Sequence, residues 1–142
     1  MGFRLSVKGK ENIDLGSEMI QSVHVDVCTP TDSMAKSSNV NATIFISGKL
    51  ISNTMIKQDE TLKLFNWSLV PAQNAEAYRD VTIKVIAADN VFRIVHFPNT
   101  FVIDYSERYN DHIGVGEFSL VLRQKADKIP DITADGGQKL DG

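Results

Sequence analysis

Three histidines and one cysteine are the residues whose side chains could do chemistry. A metal site needs three or four ligands that converge. His24, His96 and His112 show neither His-x-His nor His-x-x-x-His spacing, so the sequence predicts no metal centre. Cys28 has no base beside it in the sequence, which favours a structural thiol over a nucleophile. A lone cysteine also excludes an intrachain disulfide.

A small hydrolase is the enzymatic alternative. It would pair one of two histidines with one of two aspartates, namely His24 or His96 with Asp26 or Asp104. No Gly-x-Ser-x-Gly sequence, which would mark a nucleophilic serine, is present. Gly114-Val115-Gly116 opens a strand-like segment, whereas a dinucleotide or phosphate loop opens a helix. We therefore expect no catalytic residue and no cofactor.

Length and composition indicate one soluble globular domain. The chain has 142 residues, of which 42% are hydrophobic and 23% charged, and its formal net charge is -3. This charge gives no basic surface of the kind that binds nucleic acid. We see no apolar run near the roughly 18 residues of a membrane-spanning helix and no signal peptide. The expectations are cytoplasmic synthesis and assembly, no membrane insertion, and release outside the cell only as part of a particle.

Strand-like segments dominate the chain. Alternation of apolar and polar residues predicts strands early in the sequence, and runs rich in β-branched and aromatic residues predict a four-strand meander later. The predicted strands cover residues 3–7, 21–28, 40–52, 81–86, 91–97, 101–105 and 117–123. About seven strands in a domain of this size favour a mostly β fold, either a small antiparallel barrel or a two-sheet sandwich.

One α-helix is predicted between the third and fourth strands. Asp59 can cap its N-terminus, and an apolar stripe recurs at helical spacing at Leu62, Phe65 and Leu69. Trp67 lies off this stripe, so we expect it to cover a sheet edge or to contact a neighbouring chain. The helix itself would plug one open end of the barrel or pack on its outside.

Two polar segments interrupt this pattern. Residues 29–39 form a loop much longer than the two to five residues usual in a hairpin, and such loops are often functional. Residues 125–142 contain Pro130, Gly136-Gly137 and mixed charges, with few residues that could be buried. We therefore predict a domain at 1–124 and, at 125–142, a flexible tail or an arm that a partner orders.

The strand positions that should point outward are largely polar. They are Ser22, His24, Asp26, Thr43, Ser47, Lys49, Thr82, Lys84, Asp104, Glu117, Ser119 and Arg123. One interpretation is the solvated exterior of a barrel. The other is that these faces join across subunits and line a channel.

The order of elements resembles that of the tail-tube family. This family includes the haemolysin-coregulated protein of type VI secretion and the tube proteins of phage tails and contractile injection systems. The shared order is two or three strands with a long polar loop after the second, a helix after the third, and a meander. The segments that look most similar are 62–69, 97–106 and 117–122.

The resemblance implies a structural, non-enzymatic protein. Its hexameric rings would stack into an inner tube with a polar lumen, and its partners would be other copies, a sheath, and baseplate or spike proteins. The inter-subunit or inter-ring contacts would come from the long loop and the helix, namely Thr29, Asp32, Met34, Lys36, Phe65 and Trp67. The alternatives are a monomeric β-barrel module that binds a small ligand or peptide, and the small hydrolase.

Overall fold

The computed structural model describes residues 1–29, 40–51, 60–111 and 115–139. Its strands are β1 (Gly2–Lys8), β2 (Ile13–Leu15), β3 (Ile20–Cys28), β4 (Asn41–Ile51), β5 (Arg79–Ala87), β6 (Asn90–Arg108), β7 (Val115–Gln124) and β8 (Thr133–Lys139). The described part also contains α1 (Glu60–Ser68) and short 3₁₀ segments at Ala75–Ala77 and Ala126–Asp131. All pairings are antiparallel, in the order β2-β1-β5-β6-β7-β4-β3, with β8 on β6.

Alternating apolar residues build one core from both ends of this sheet. Leu5 on β1, Ile44 on β4 and Leu120 on β7 are all buried in the same cluster, while their sequence neighbours point the other way. The sheet curls so that β1 lies against β3. The prediction of a mostly β antiparallel fold is confirmed. Within the described residues, however, the hydrogen-bonded path ends at β2 and β3 and does not close.

The described residues form eight strands where seven were predicted for the whole chain, and β2 is one that the sequence did not reveal. Ile13 and Leu15 are buried because they pair with Val7 and Leu5 across a short hairpin. A three-residue strand inside a polar segment is too short to show alternation. With β2 counted, α1 follows the fourth strand of the structure, and it still lies between the two strands predicted to flank it, now β4 and β5.

β6 is one continuous strand of 19 residues where the sequence predicted two. Its first part pairs with β5 and its second part with β7, and Pro98-Asn99 lies where these pairings meet. Asn99 has a φ of 53°. The backbone at this corner is satisfied from outside the strand, because Asn99 N donates to Asp80 Oδ1 and the Gln124 side chain donates to Pro98 O. These contacts explain why a turn signal does not end the strand.

The C-terminal segment also differs from its prediction. Residues 133–139 pair with residues 90–96 of β6 within the same chain, so this part is neither a flexible tail nor an arm that needs a partner to order it. Ile132 packs against the core ahead of β8. The described fold therefore extends beyond the predicted boundary at residue 124.

Helix α1 buries a different face from the one predicted. Thr61, Leu64 and Trp67 are buried, whereas Leu62 is 54% exposed and Leu69 66% exposed. Both sets have helical spacing, and tertiary contacts decide between them. Among the described residues, no helix is long and apolar enough to cross a membrane.

Candidate functional site

A row of serines crosses the outer face of the sheet. Ser22 on β3 pairs with Ser47 on β4, Ser47 pairs with Ser119 on β7, and Ser119 pairs with Ser106 on β6. Partners in antiparallel strands point to the same face, so the four hydroxyls lie in line. The Oγ atoms of Ser22 and Ser47 are 2.5 Å apart, within hydrogen-bonding distance. We call this surface the serine-centred face.

Charged side chains flank the serine row with balanced signs. Lys49, Glu117 and Arg108 form the adjacent row on one side. On the other side of the serine row, the adjacent row ends at Asp104. The row beyond that one contains Asp26 and Arg123. The three acidic and three basic groups cancel, so this face has little net charge with which to attract a polyanion.

The outward polar surface continues onto β5 and β1. Thr82 pairs with Ser6, and Lys84 pairs with Arg4. A groove of about 450 Å³ lies here and is also lined by Asp14 and Glu18. The predicted outward positions Thr82 and Lys84 therefore lie on an outward surface that carries both signs of charge.

An apolar ridge formed by α1 and the residue that follows it faces away from the core. We define the helix ridge as Leu62, Phe65 and Leu69. Phe65 is 40% exposed and its ring meets the edge of Tyr105 on β6, with centroids 6.1 Å apart. Contiguous exposed apolar side chains on a soluble protein often mark interaction surfaces.

Polar contacts fix the orientation of this ridge. Glu60 Oε2 accepts a hydrogen bond from Asp14 N at 3.0 Å, and Lys63 Nζ donates to Asn12 O at 3.1 Å. Lys63 and Glu60 also form an ion pair at 2.9 Å. The hydrogen bond to Glu60 raises the pKa of Lys63, because it stabilises the ammonium form. The first turn of α1 is thus tied to the β1–β2 hairpin.

The end of the sheet at β3 is a second candidate surface. Within the described residues, β3 pairs with β4 and its other edge is the end of the sheet path. Val25 is 39% exposed and Val27 58% exposed near this edge. An edge strand presents unpaired N–H and C=O groups, which a strand from another molecule can use.

Trp67 is a core residue, which corrects its predicted contact with a neighbouring chain. Its side chain is 1% exposed and its Nε1 donates to Ala77 O at 2.9 Å. The guanidinium carbon of Arg79 lies 5.2 Å from the centroid of the indole ring. The indole therefore offers no surface to a partner, because the fold already uses its apolar area and its donor.

Of the other predicted contact residues, Phe65 and Thr29 are among the described residues. Phe65 is on the exposed ridge, and its contact with another subunit stays a prediction. Thr29 is half-buried directly after β3. Asp32, Met34 and Lys36 lie outside the described residues.

His24 and Asp104, one of the candidate catalytic pairs, lie far apart. His24 packs near the Phe45 ring, with centroids 5.6 Å apart. Asp104 is at the far end of the same row, three strand spacings or about 14 Å away. His96 pairs with Thr82 on β5. No group of three His, Cys, Asp or Glu side chains that could hold a metal occurs in the described ranges.

Comparison with known proteins points to one fold. No family model matches the sequence, and no curated protein matches it. Among solved structures, Hcp1 from Flavobacterium johnsoniae is similar with a TM-score of 0.59 and 20% identity, covering 97% of this chain and 98% of that one. The chain has the tail-tube fold.

Two further structural neighbours come from larger particles. A chain of the anti-feeding prophage baseplate, described as six-fold symmetrised, has a TM-score of 0.55 and 12% identity, with 95% of this chain and 93% of that one covered. A chain of the sheath–tube complex of PVC, an extracellular contractile injection system, has a TM-score of 0.53 and 15% identity, with 96% and 89% covered. The resemblance seen in the order of elements is confirmed at the level of the fold.

The sequence missed part of the serine-centred face. Ser106 and Arg108 were not among the predicted outward positions, although Asp104 was. The three residues alternate along β6 after the bulge between Val102 and Asp104. This alternation is the sequence signal that would have found them.

Proposed function

We propose that this protein is the inner-tube protomer of a contractile injection system or phage-like tail. Its hexameric rings stack into a tube, and the protein works by assembly without catalysing a reaction. The observation that carries the proposal is the tail-tube fold over nearly the whole length of this chain and of its structural neighbours. The six-fold symmetry of the baseplate that contains one neighbour supports the ring size.

The serine-centred face lines the lumen in this proposal. A channel through which cargo slides should present groups that hold water and bind nothing tightly. Small hydroxyls and charges of balanced sign meet that requirement, since cargo of either charge finds no net attraction. The aromatic ring of Phe45, 41% exposed, is a local apolar interruption of this wall.

The β3 edge and the helix ridge join the subunits. A head-to-tail contact between two different surfaces closes into a ring when its rotation permits, and stacked rings then propagate. A neighbouring copy that pairs along β3 removes its exposed edge. A neighbouring copy that covers the ridge buries Leu62, Phe65 and Leu69 together.

The assembly partners follow from the same role. A tube of this kind requires a sheath around it and a baseplate or spike at its end. Synthesis and assembly are cytoplasmic, and the protein leaves the cell as part of a particle.

The experiment is light scattering on a size-exclusion column followed by negative-stain microscopy. Six copies of the 15.7 kDa chain give a particle of about 94 kDa, with six-fold rings or tubes in the images. A monomer that persists on concentration contradicts the proposal.

Leu69→Asp tests the helix ridge in the same assay. Leu69 is 66% exposed, so the variant folds with a Tm close to wild type but forms fewer rings because it places a charge in the ridge. Leu69→Met, which keeps the ridge apolar, is the matched control and retains the wild-type particle mass. Equal ring formation by the wild type and both variants would show that the ridge is not part of the interface.

A further inference from the structure

β7 and β8 lie along the same edge of β6, one after the other. Gln124 at the end of β7 pairs with Thr100, and Thr133 at the start of β8 pairs with His96. Between these two pairs β6 advances by four residues while the returning chain uses nine. Residues 125–132, which we call the linker, therefore contain surplus length.

The surplus is large enough to reach beyond the chain's own sheet. Four residues of strand span about 13 Å, whereas nine extended residues span about 30 Å. The linker stores this length as the 3₁₀ segment Ala126–Asp131, which contains Pro130 and has no buried residue. Extension therefore removes no fully buried side chain of this segment, although it releases the half-buried Ile132 from the core.

The first half of β8, residues 133–136, is held by its backbone ladder with little packing. The side chains of residues 133–136 are exposed. A Cβ added at Gly136 would lie 2.8 Å from Phe92 O, so the two backbones approach too closely there for a side chain. Segments with few buried contacts open at low free energy while the rest of a domain stays folded.

The other end of the linker is firmly anchored. Lys125 N donates to Asn99 O at 3.1 Å, and the Gln124 side chain donates to Pro98 O. Lys125 Nζ also lies 5.4 Å from the centroid of the Tyr78 ring. Movement of β8 would therefore begin after residue 125 and leave the corner of β6 intact.

We propose that β8 is exchanged between copies when the protein assembles. The linker extends, and β8 of one copy pairs with residues 90–96 of β6 in a neighbouring copy. The exchanged ladder repeats the hydrogen bonds of the intrachain ladder, which is why such swaps cost little. The inference rests on the self-assembly proposed above and adds the strand that ties one subunit to the next.

The test is a disulfide placed across the β6–β8 pair. Ile94 and Asp135 are register partners, and cross-strand partners lie within the range that a disulfide spans. The variant carries Ile94→Cys and Asp135→Cys in a Cys28→Ser background, so that no other thiol is present. Assembled protein is oxidised, or joined with a short bismaleimide, and run on a denaturing gel without reductant.

Exchange shifts most of the protein from the monomer band to a ladder of covalent multimers, and reduction reverses the disulfide-linked ladder. If the protein forms rings but the gel shows only internally linked monomers, the exchange is overturned and the proposed tube role stands. If light scattering and the gel both show only monomers, the exchange and the tube role are both overturned.

A control variant separates exchange from random crosslinking. It carries Ile94→Cys with Asp127→Cys, because Asp127 belongs to the linker and has no partner on β6 in the register. Exchange gives far less multimer in this control than in the register pair. Equal ladders in both variants overturn the proposal.

Discussion

Replacing Trp67 with phenylalanine distinguishes a core role for this residue from the interface role that the sequence suggested. The substitution removes the indole Nε1 donor and leaves the buried Ala77 carbonyl without that partner, at a cost of about 1–3 kcal/mol. The smaller ring leaves a void that adds about 1 kcal/mol. We therefore expect a loss of about 2–4 kcal/mol in the free energy of unfolding.

The loss converts to a shift in melting temperature. At about 2.1 cal/mol/K per residue, 142 residues give an unfolding entropy near 0.3 kcal/mol/K. The Tm should then fall by about 7–13 °C. Calorimetry at fixed protein concentration measures this shift, and light scattering well below the Tm should report an unchanged particle mass.

The control for this prediction lies directly after the same helix. Leu69→Met should change the Tm little, since the side chain is mostly exposed and keeps its size. The reasoning is refuted if Trp67→Phe leaves the Tm within 2 °C of wild type but reduces the particle mass. In that case the indole contacts another subunit, as the sequence suggested.

Two further predictions concern a close contact and a titration. Gly48→Ala should destabilise the protein by about 1–3 kcal/mol, because the new Cβ would lie 2.2 Å from Met19 O and 2.6 Å from the Phe118 ring. Calorimetry should show a lower Tm. A Tm equal to that of Gly2→Ala would contradict this prediction. The phenol of Tyr109 donates to Glu107, which raises the pKa of Tyr109 above its usual 10.0. Because the fold favours the protonated phenol, any stability it adds is present below pH 10 and is lost as the pH rises through the folded pKa. Tyrosinate absorbance should show one late-titrating phenol missing in Tyr109→Phe, and that phenol titrating at lower pH in Glu107→Gln. Unchanged titration in Glu107→Gln would refute the assignment.

Sequence patterns located the long strands because their burial has a local signature. The buried Ile44 and Ile46 alternate with Phe45 and Ser47 on β4, and the pattern follows directly from the pleat. For the same reason Ser22, Ser47 and Ser119 were correctly placed on the outward face. Their alignment into one row depends on register between strands, which alternation within each strand does not specify.

The errors occurred where tertiary contacts outweigh local pattern. β8 buries no side chain among residues 133–136, so its backbone ladder leaves no hydrophobic signal. Two overlapping stripes on α1 have helical spacing, and the acceptor at Ala77 O selects the one that contains Trp67. At Pro98-Asn99 the turn signal is genuine, but remote groups satisfy the backbone and the strand continues.

The pairing of β1 with β5 has a consequence for synthesis on the ribosome. Val7 pairs with Val81, 74 positions later in the chain, and Gly2 pairs with Ile86. At about 5–20 residues per second, β1 must wait about 4–15 s after its own synthesis before β5 exists. Throughout that interval Leu5, Val7, Ile13 and Leu15 lack most of the partners that bury them. A slower elongation rate lengthens this wait, and newly made chains are then exposed to aggregation for longer before the sheet is complete.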